Sequence, residues 1–418
     1  MRTFIINIQK TRLLFLSGFF ALLLLSGCST VTTPPTAKST DSKLNALQSV
    51  PWSEADQVIE ADASRQDWAA ALNESAGYFA KKKPEAKIHF GNHWVTALQM
   101  TRSIRELASV AQSSDSISLK TYLEKNFLLF RSVGNDNKGN VLVTAYYEPL
   151  LNGSLTKSDK YKYPLYNKPK DLLKISLTNW LPKKKKKIIA RFADKKLTPY
   201  YNRAEIDIEK SLENQNLELV WVDNLVDLFF LQIQGSGRVA LAEGGVLRVG
   251  YHEANGHPYH SIGRILIKEG AISREKMSLP AIRKWLRENP SQQDRLLNAN
   301  PSYVFFRKLS GGPYGNISVS LTPGRSIATD YRIFPKGAAG MLITTLPHFS
   351  KDEGENIIDW QSSARFIVNQ DTGGAIRGPG RVDLFLGFGA DAEQTAGIMK
   401  QGGSKLYFIA PKQQSHYK

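Results

Sequence analysis

Four short apolar runs near the end of the chain, Ile317–Leu321, Met341–Thr345, Ala364–Val368 and Leu406–Ala410, alternate with glycine and proline turns. Runs of this length are too short for helices, and the turns between them predict the strands of a small β-barrel or sandwich. A helix is expected over Ala392 to Lys400, opened by Asp391 as N-cap and stopped at Gly402-Gly403. The chain has 418 residues, 42% of them apolar. At roughly 100–200 residues per domain, that is material for two domains or a little more. No internal repeat is visible.

The other end of the chain constrains location. Arg2, Lys10 and Arg12 precede an apolar stretch from Leu13 to Leu25, followed by Ser26-Gly27-Cys28. This is the layout of a secretory signal, too short and too close to the start for a membrane span. Leu25-Ser26-Gly27-Cys28 resembles a bacterial lipobox, which makes Cys28 the expected lipidated residue. Ser29 in the next position resembles lipoproteins sorted to the outer membrane, so the expected location is that membrane of a Gram-negative cell, facing the periplasm. Cys28 is the only cysteine, which excludes a disulfide framework and cysteine-based zinc or iron–sulfur sites. The formal charge is +17, and it falls to +14 without the three basic residues of the signal. A secreted chain of this charge argues against nucleic acid and for an anionic membrane or an acidic polymer as partner.

Between the ends, Ser29 to about Leu47 is rich in serine, threonine and proline and reads as a flexible tether. Helical spacing follows over 53–80 and 92–112, the latter through Trp94, Ala97, Leu98, Ile104 and Leu107. A strand is expected over Asn140 to Tyr147 and another over Leu217 to Val222. Asn224 to Gln234 predicts a helix ending near Gly235. Further helices are expected over Ile262–Lys268, Leu279–Arg287 and Gln293–Leu297, then a strand over Tyr303–Arg307. The run Lys183 to Lys187 reads as a solvated loop or as a contact for an anionic surface. No stretch of the mature body approaches 18 uninterrupted apolar residues.

Two glycine-rich segments, Gln232 to Arg238 and Asp371 to Gly378, lack the spacing of a phosphate-binding loop or a dinucleotide fingerprint. They read as tight turns or as the wall of a groove for hydroxyls and amides. His252, His257 and His260 lie in a segment broken by Asn255-Gly256 and Pro258, which suits loop histidines better than zinc ligands. No metal and no cofactor is expected. Asp330, Asp371 and Asp383 each sit in or beside an apolar strand-like run. Burial there disfavours the charged form and raises the pKa, which is what a general acid for glycosidic cleavage needs. The same residues also suit turn caps that bond backbone amides, and the residues alone leave both readings open.

Asp330, Asp371-Thr-Gly-Gly-Ala-Ile-Arg-Gly and Val382-Asp383-Leu-Phe resemble the 3D domain, named for three aspartates in a small double-psi β-barrel. Ala145-Tyr-Tyr-Glu-Pro, Tyr200-Tyr-Asn-Arg-Ala-Glu-Ile, Trp221-Val-Asp-Asn, Phe230-Leu-Gln-Ile-Gln-Gly-Ser-Gly, Asn255-Gly-His-Pro-Tyr, Ser261-Ile-Gly-Arg, Asn300-Pro-Ser-Tyr-Val-Phe-Phe and Leu321-Thr-Pro-Gly-Arg-Ser resemble the membrane-bound lytic murein transglycosylase A family. The match spans about 140 to 418 and is weak before residue 90; residues 168–198 look variable or enlarged.

The resemblance implies a mainly β fold with helices, in which an inserted β-rich domain and the barrel enclose a glycan groove. The implied division is a signal over 1–27, a tether over 28–50, a helical part with the first part of the barrel over 51–145, the insert over 146–309 and the rest of the barrel over 310–418. It implies cleavage of the β-1,4 bond between N-acetylmuramic acid and N-acetylglucosamine without water, leaving 1,6-anhydromuramic ends. Asp383 takes the part of acid and then base, with Asp371 and Asp330 as supporting acids. Gln234, Ser236, Asn255, Tyr146, Tyr147, Gly373 and Gly374 are implied substrate contacts, and Glu148 and Glu205 reserve carboxylates. The implied partners are glycan strands, the membrane through the lipid, and cell-wall synthesis or division proteins. A two-carboxylate muramidase and a non-catalytic murein-binding scaffold are the alternatives.

Overall fold

The computed structural model describes residues 45–62, 65–179, 187–350 and 357–413. The expected signal, Cys28, most of the expected tether and Lys183 to Lys186 lie outside them. Six strands close on themselves in the order Val141–Glu148, Lys400–Pro411, Ala339–Phe349, Ile357–Asp371, Ser326–Ala328 and Arg381–Phe388. Closure leaves no unpaired edge within the ring, the condition that makes a barrel of short strands stable against pairing with other chains. Two of its pairings are parallel: Ser326–Ala328 with Ile357–Asp371, and Arg381–Phe388 with Val141–Glu148. Parallel neighbours cannot be joined by a tight turn. The second pair accordingly joins residues as far apart as Thr144 and Asp383, 239 positions away in sequence.

Two further strands, Leu47–Val50 and Phe127–Ser132, extend the sheet from Lys400–Pro411. The expected tether therefore ends earlier than residue 50, because Leu47 already pairs with Ser132. Helices Arg65–Ala80 and Ala97–Ser113 cover the barrel. The second begins at Thr96, whose side chain accepts from the Gln99 amide while the Gln99 side chain accepts from the Thr96 amide. That capping box starts the helix at this point, whereas spacing alone predicts it from residue 92, and His93–Thr96 instead pairs as a strand with Lys87–Phe90. Met100, Ile104, Leu107 and Ala111 then fall on one buried face. Trp68 stacks on Phe366 of the barrel at 4.1 Å between ring centroids, and its indole N–H reaches the Ile367 carbonyl at 3.3 Å.

Two other expectations change. Ile317–Leu321 is a loop held by an isolated Tyr314–Ser320 bridge, since the strand it resembled has no neighbour to pair with there. The late helix runs Ala390–Ile398 from Gly389, so Asp391 lies in its first turn, where it faces the helix dipole without capping.

Residues 150–309 lie between strands of the barrel in sequence. They build a sheet in the order Val304–Leu309, Val246–Ala254, Ser236–Leu241, Leu150–Ser154, Glu218–Val222 and Tyr163–Tyr166. Helix Leu225–Gln234 packs on it, capped by the Asn224 side chain at 2.8 Å from the Val226 amide and ended by Gly235 at φ 81°. Helices Ile262–Lys268, Leu279–Glu288 and Gln293–Asn298 bury Phe229 and Phe230. A small separate sheet joins Leu173–Ser176, Lys187–Ala193 and Lys196–Pro199. No helix among the described residues is long and apolar enough to cross a membrane.

Candidate active site

Strand Arg381–Phe388 carries Asp383 beside Thr144 of the parallel neighbour. The Thr144 hydroxyl donates to Asp383 Oδ1, and Arg381 Nη2 lies 3.4 Å from the same oxygen and 3.2 Å from the Thr144 hydroxyl. Oδ2 is left with no protein partner among the described residues. Arg381 and Asp383 are two positions apart on one strand and so share a face. The Asp383 side chain keeps 22% of its exposure. Burial pushes its pKa up from 3.8 to about 6; Arg381 works against that rise and the Asp371 charge adds to it.

Asp371 ends strand Ile357–Asp371. The Tyr146 hydroxyl donates to its Oδ2 at 2.9 Å and the Asn316 amide to its Oδ1 at 2.9 Å. Burial raises its pKa, opposed by the Thr372 amide, the Tyr146 hydroxyl, the Asn316 amide and the Lys336 charge. Tyr146 is itself held protonated by burial and by Asp371, so it can serve as donor in that bond. Its ring tilts against Phe385 at 5.2 Å. Tyr146 thus links the two aspartates, being bonded to Asp371 and close enough to feel the charge of Asp383.

Asp330 behaves oppositely to the sequence expectation. Burial would raise its pKa, but Arg332, whose Nε lies 2.8 Å away, and the amides of Gly378 and Arg332 bring it down to about 2. With 1% of its side chain exposed, it is a charged clamp at neutral pH on the loop after Asp371. The turn-cap reading fits this residue.

A groove of about 680 Å³ runs between the barrel and the second sheet. Gln234, Ser236 and His252 line one side, with Tyr146, Asp371, Gly373 and Gly374 on the other. Gln234 Oε1 accepts from the Tyr147 amide at 3.4 Å, which leaves its NH₂ as the group free to face a ligand. Gly374 has open space where a Cβ would stand, whereas a Cβ on Gly237 would meet Leu231 at 2.4 Å, so that glycine serves packing. Tyr147 and Asn255 do not join the lining. Tyr147 is 1% exposed. Asn255, equally buried, donates to the carbonyls of Tyr201 and Pro301, each at 2.9 Å, and accepts from the Tyr303 amide. It ties three loops together beneath the groove. Alternation along a strand would have shown that adjacent Tyr146 and Tyr147 cannot both face one groove.

Sequence reasoning missed Thr144 and Arg381 around Asp383, and Asn316, Tyr331, Arg307 and Arg377 on the groove. Arg381 was findable from its position two residues before Asp383. Thr144 was not, because only long-range parallel pairing brings it there.

The reserve carboxylates are engaged: Glu148 is buried against Arg238 at 3.2 Å, and Glu205 completes the capping box of helix Arg203–Asp207. His252 lies 3.0 Å from Asn167 Oδ1 and His257 2.6 Å from the Tyr200 carbonyl. No cluster of His, Cys, Asp and Glu that could hold a metal occurs among the described residues.

Two family models match the chain: the MltA specific insert domain over residues 142–307 and the 3D domain over residues 325–409. The membrane-bound lytic murein transglycosylase A of Vibrio cholerae is 34% identical over 275 residues, covering 65% of this chain. That match spans 66% of the relative, just under two thirds of its length. A membrane-bound lytic murein transglycosylase from Agrobacterium tumefaciens has a similar structure, with a TM-score of 0.74 and 28% identity over 88% of this chain and 98% of that one. The structure of Escherichia coli MltA with bound chitohexaose gives 0.63 and 25%, over 91% and 100%.

Proposed function

This chain belongs to the MltA family, and on that premise we propose that it is a peptidoglycan lytic transglycosylase that breaks the β-1,4 bond between N-acetylmuramic acid and N-acetylglucosamine without water. The observation that carries the mechanism is Asp383: one carboxyl oxygen held by Thr144 and Arg381, the other free, and a pKa lifted to about 6. Protonated Oδ2 gives its proton to the glycosidic oxygen as the bond from that oxygen to C1 of the muramic residue breaks. The same oxygen, now a carboxylate, takes the proton of the muramic 6-hydroxyl as that hydroxyl's oxygen bonds to C1. The products are a 1,6-anhydro end and a free 4-hydroxyl, and Asp383 is again protonated. The nucleophile is part of the substrate, so proximity replaces a second catalytic carboxylate.

Asp371 supports this by its charge while being held in place by Tyr146 and Asn316. The groove beside it offers Gln234, Ser236 and the backbone at Gly373 and Gly374 to hydroxyls and acetamido groups. The oligosaccharide held by the E. coli relative supports a glycan as its occupant. The lipobox-like sequence at Cys28 supports a lipid anchor in the outer membrane, with the domain facing the periplasm. Mass spectrometry of muropeptides tests the chemistry. Anhydro ends are expected; reducing ends would mean water is the acceptor, and binding without cleavage would make the protein a murein-binding scaffold.

A further inference from the structure

The groove carries more positive than negative charge. Among the described residues Asp371 is the one acid on its lining, and the Tyr146 hydroxyl and the Asn316 amide already bond its two oxygens. Arg377 and Arg307 are its permanent cations. Arg377 pins a loop, since its Nη1 donates to the carbonyls of Gly373 and Ile376 at 2.9 and 2.8 Å. Arg307 has no such task. It and Leu309, two positions apart on strand Val304–Leu309, share the face that lines the groove, while Lys308 between them turns to the other. The neighbouring strand places Gly250 opposite Arg307, so that position offers no side chain to cover or neutralise the guanidinium.

Beside Arg307 the ring of His252, also on the lining, is fixed. Asn167 Oδ1 accepts from the Lys168 amide at 2.7 Å, so His252 Nδ1, 3.0 Å from the same oxygen, is a donor to it. Burial and the charges of Lys168 and Arg307 hold the His252 pKa below its usual value, against Glu253 and the Phe306 backbone. Glu253 is itself taken by Lys174 at 2.7 Å and by the Tyr251 hydroxyl at 3.1 Å. Two cations thus converge on one part of the wall, and among the described residues neither is paired with an acid.

The geometry points to a carboxylate site: Arg307, with Lys168 across the His252 ring, receives a carboxylate borne by a muramic residue of the strand in the groove, an inference that rests on murein being the occupant. The sugar backbone is neutral. Acid enters only at the muramic residues, on the bare lactyl group or on the peptide attached to it. A guanidinium presents a planar fork that matches a carboxylate, and within a groove the pair is screened less than on an open surface. The site therefore favours muramic strands over uncharged oligosaccharides of the same length.

The test is calorimetric binding to the full chain carrying Asp383→Asn, which leaves the strand uncut. The ligands are glycan with its peptides, glycan stripped of them by an amidase, and each of these with its carboxyls capped as methylamides. Capping should weaken binding at least about tenfold for the peptide-bearing strand, the stripped strand or both, and the strand that responds identifies the source of the carboxylate. High salt should erase the difference. Arg307→Gln should bring the ratio of uncapped to capped affinity to about one, and Lys168→Gln should lower it partway. Lys308→Gln, the same charge change on the opposite face of the strand, should leave the ratio at the parent value. Thermal unfolding checks that each variant is folded, and Arg307→Lys, which keeps the charge and loses the fork, carries the comparison if Arg307→Gln is not. Equal affinity for capped and uncapped strands overturns the inference, as does a ratio that survives Arg307→Gln or that Lys308→Gln lowers equally. Cleavage of the same strands by the parent protein is read separately. Cleavage with no preference defeats this site alone, and a preference with no cleavage defeats the transglycosylase reading alone.

Discussion

Asp383→Asn separates two consequences of one buried carboxyl. The lift of its pKa from 3.8 to about 6 means that the folded protein holds this proton more tightly than the unfolded chain does. Ionisation on raising the pH through that window therefore costs stability. At 1.36 kcal/mol per pKa unit the full cost is about 3 kcal/mol. The side chain keeps 22% exposure, so solvent screening reduces it to about 1–3 kcal/mol. Asparagine is uncharged, its Oδ1 still accepts from Thr144, and it matches the shape of the acid. Above about pH 6 the variant should be more stable than the parent by that amount, a rise of a few degrees in Tm. The gain should disappear below about pH 4, where the parent aspartate is protonated in both states.

Catalysis should move the other way. Asparagine neither gives nor takes the proton, so formation of anhydro ends should fall by about 10²- to 10⁴-fold or more. Thermal unfolding across pH and muropeptide mass spectrometry on the same two preparations measure both. A variant destabilised at every pH would refute the desolvation argument, and a fully active one would refute the assignment of Asp383.

For the parent protein, kcat/KM on isolated glycan strands should fall as pH rises through about 6, as the acid form of Asp383 is lost; a rate flat across that range would contradict it. Arg381→Ala removes the charge that holds this pKa down, so the descending limb should move to higher pH, read from the same profile. Asp330→Asn should destabilise by about 2 kcal/mol at neutral pH, from the fall of its pKa from 3.8 to about 2. Because that pKa is lowered, the loss should vanish as pH approaches 2, measured by denaturant unfolding. Asn255→Ala removes the side chain that bonds the Tyr201 and Pro301 carbonyls and the His257 and Tyr303 amides, of which the Pro301 carbonyl keeps the Arg203 amide. It should cost about 2–4 kcal/mol by the same measurement, with near-normal turnover per folded molecule.

Local signals were reliable where the physics is local. The helices at Leu225–Gln234 and Ile262–Lys268 followed their caps and apolar spacing, with Asn224 and Ser261 each bonding the first turn. The same reasoning failed at Ile317–Leu321, because an apolar run becomes a strand only where a neighbour offers hydrogen bonds. It failed at Asp391 because a capping residue type two positions past the actual cap is merely an acid near a helix start. Among the candidate site residues, Gln234, Ser236, Tyr146, Gly373 and Gly374 do reach the groove. Tyr147 and Asn255 do not, since neighbouring motif residues divide between a surface and the layer beneath it.

What the sequence determined by itself was the inventory: strand-length runs with turns, three aspartates in apolar surroundings, a basic surplus and a lone cysteine after an apolar N-terminal run. The tertiary structure decided how the aspartates differ. Asp330 is drawn down by Arg332 and two amides, Asp371 is held by Tyr146 and Asn316, and Asp383 is raised with one oxygen free. The three lie in similar sequence surroundings, yet a carboxyl's proton affinity depends on what desolvates it and which charges and donors stand within a few ångströms. For Asp383 one of those neighbours is Thr144, which barrel closure brings to it across 239 positions of chain.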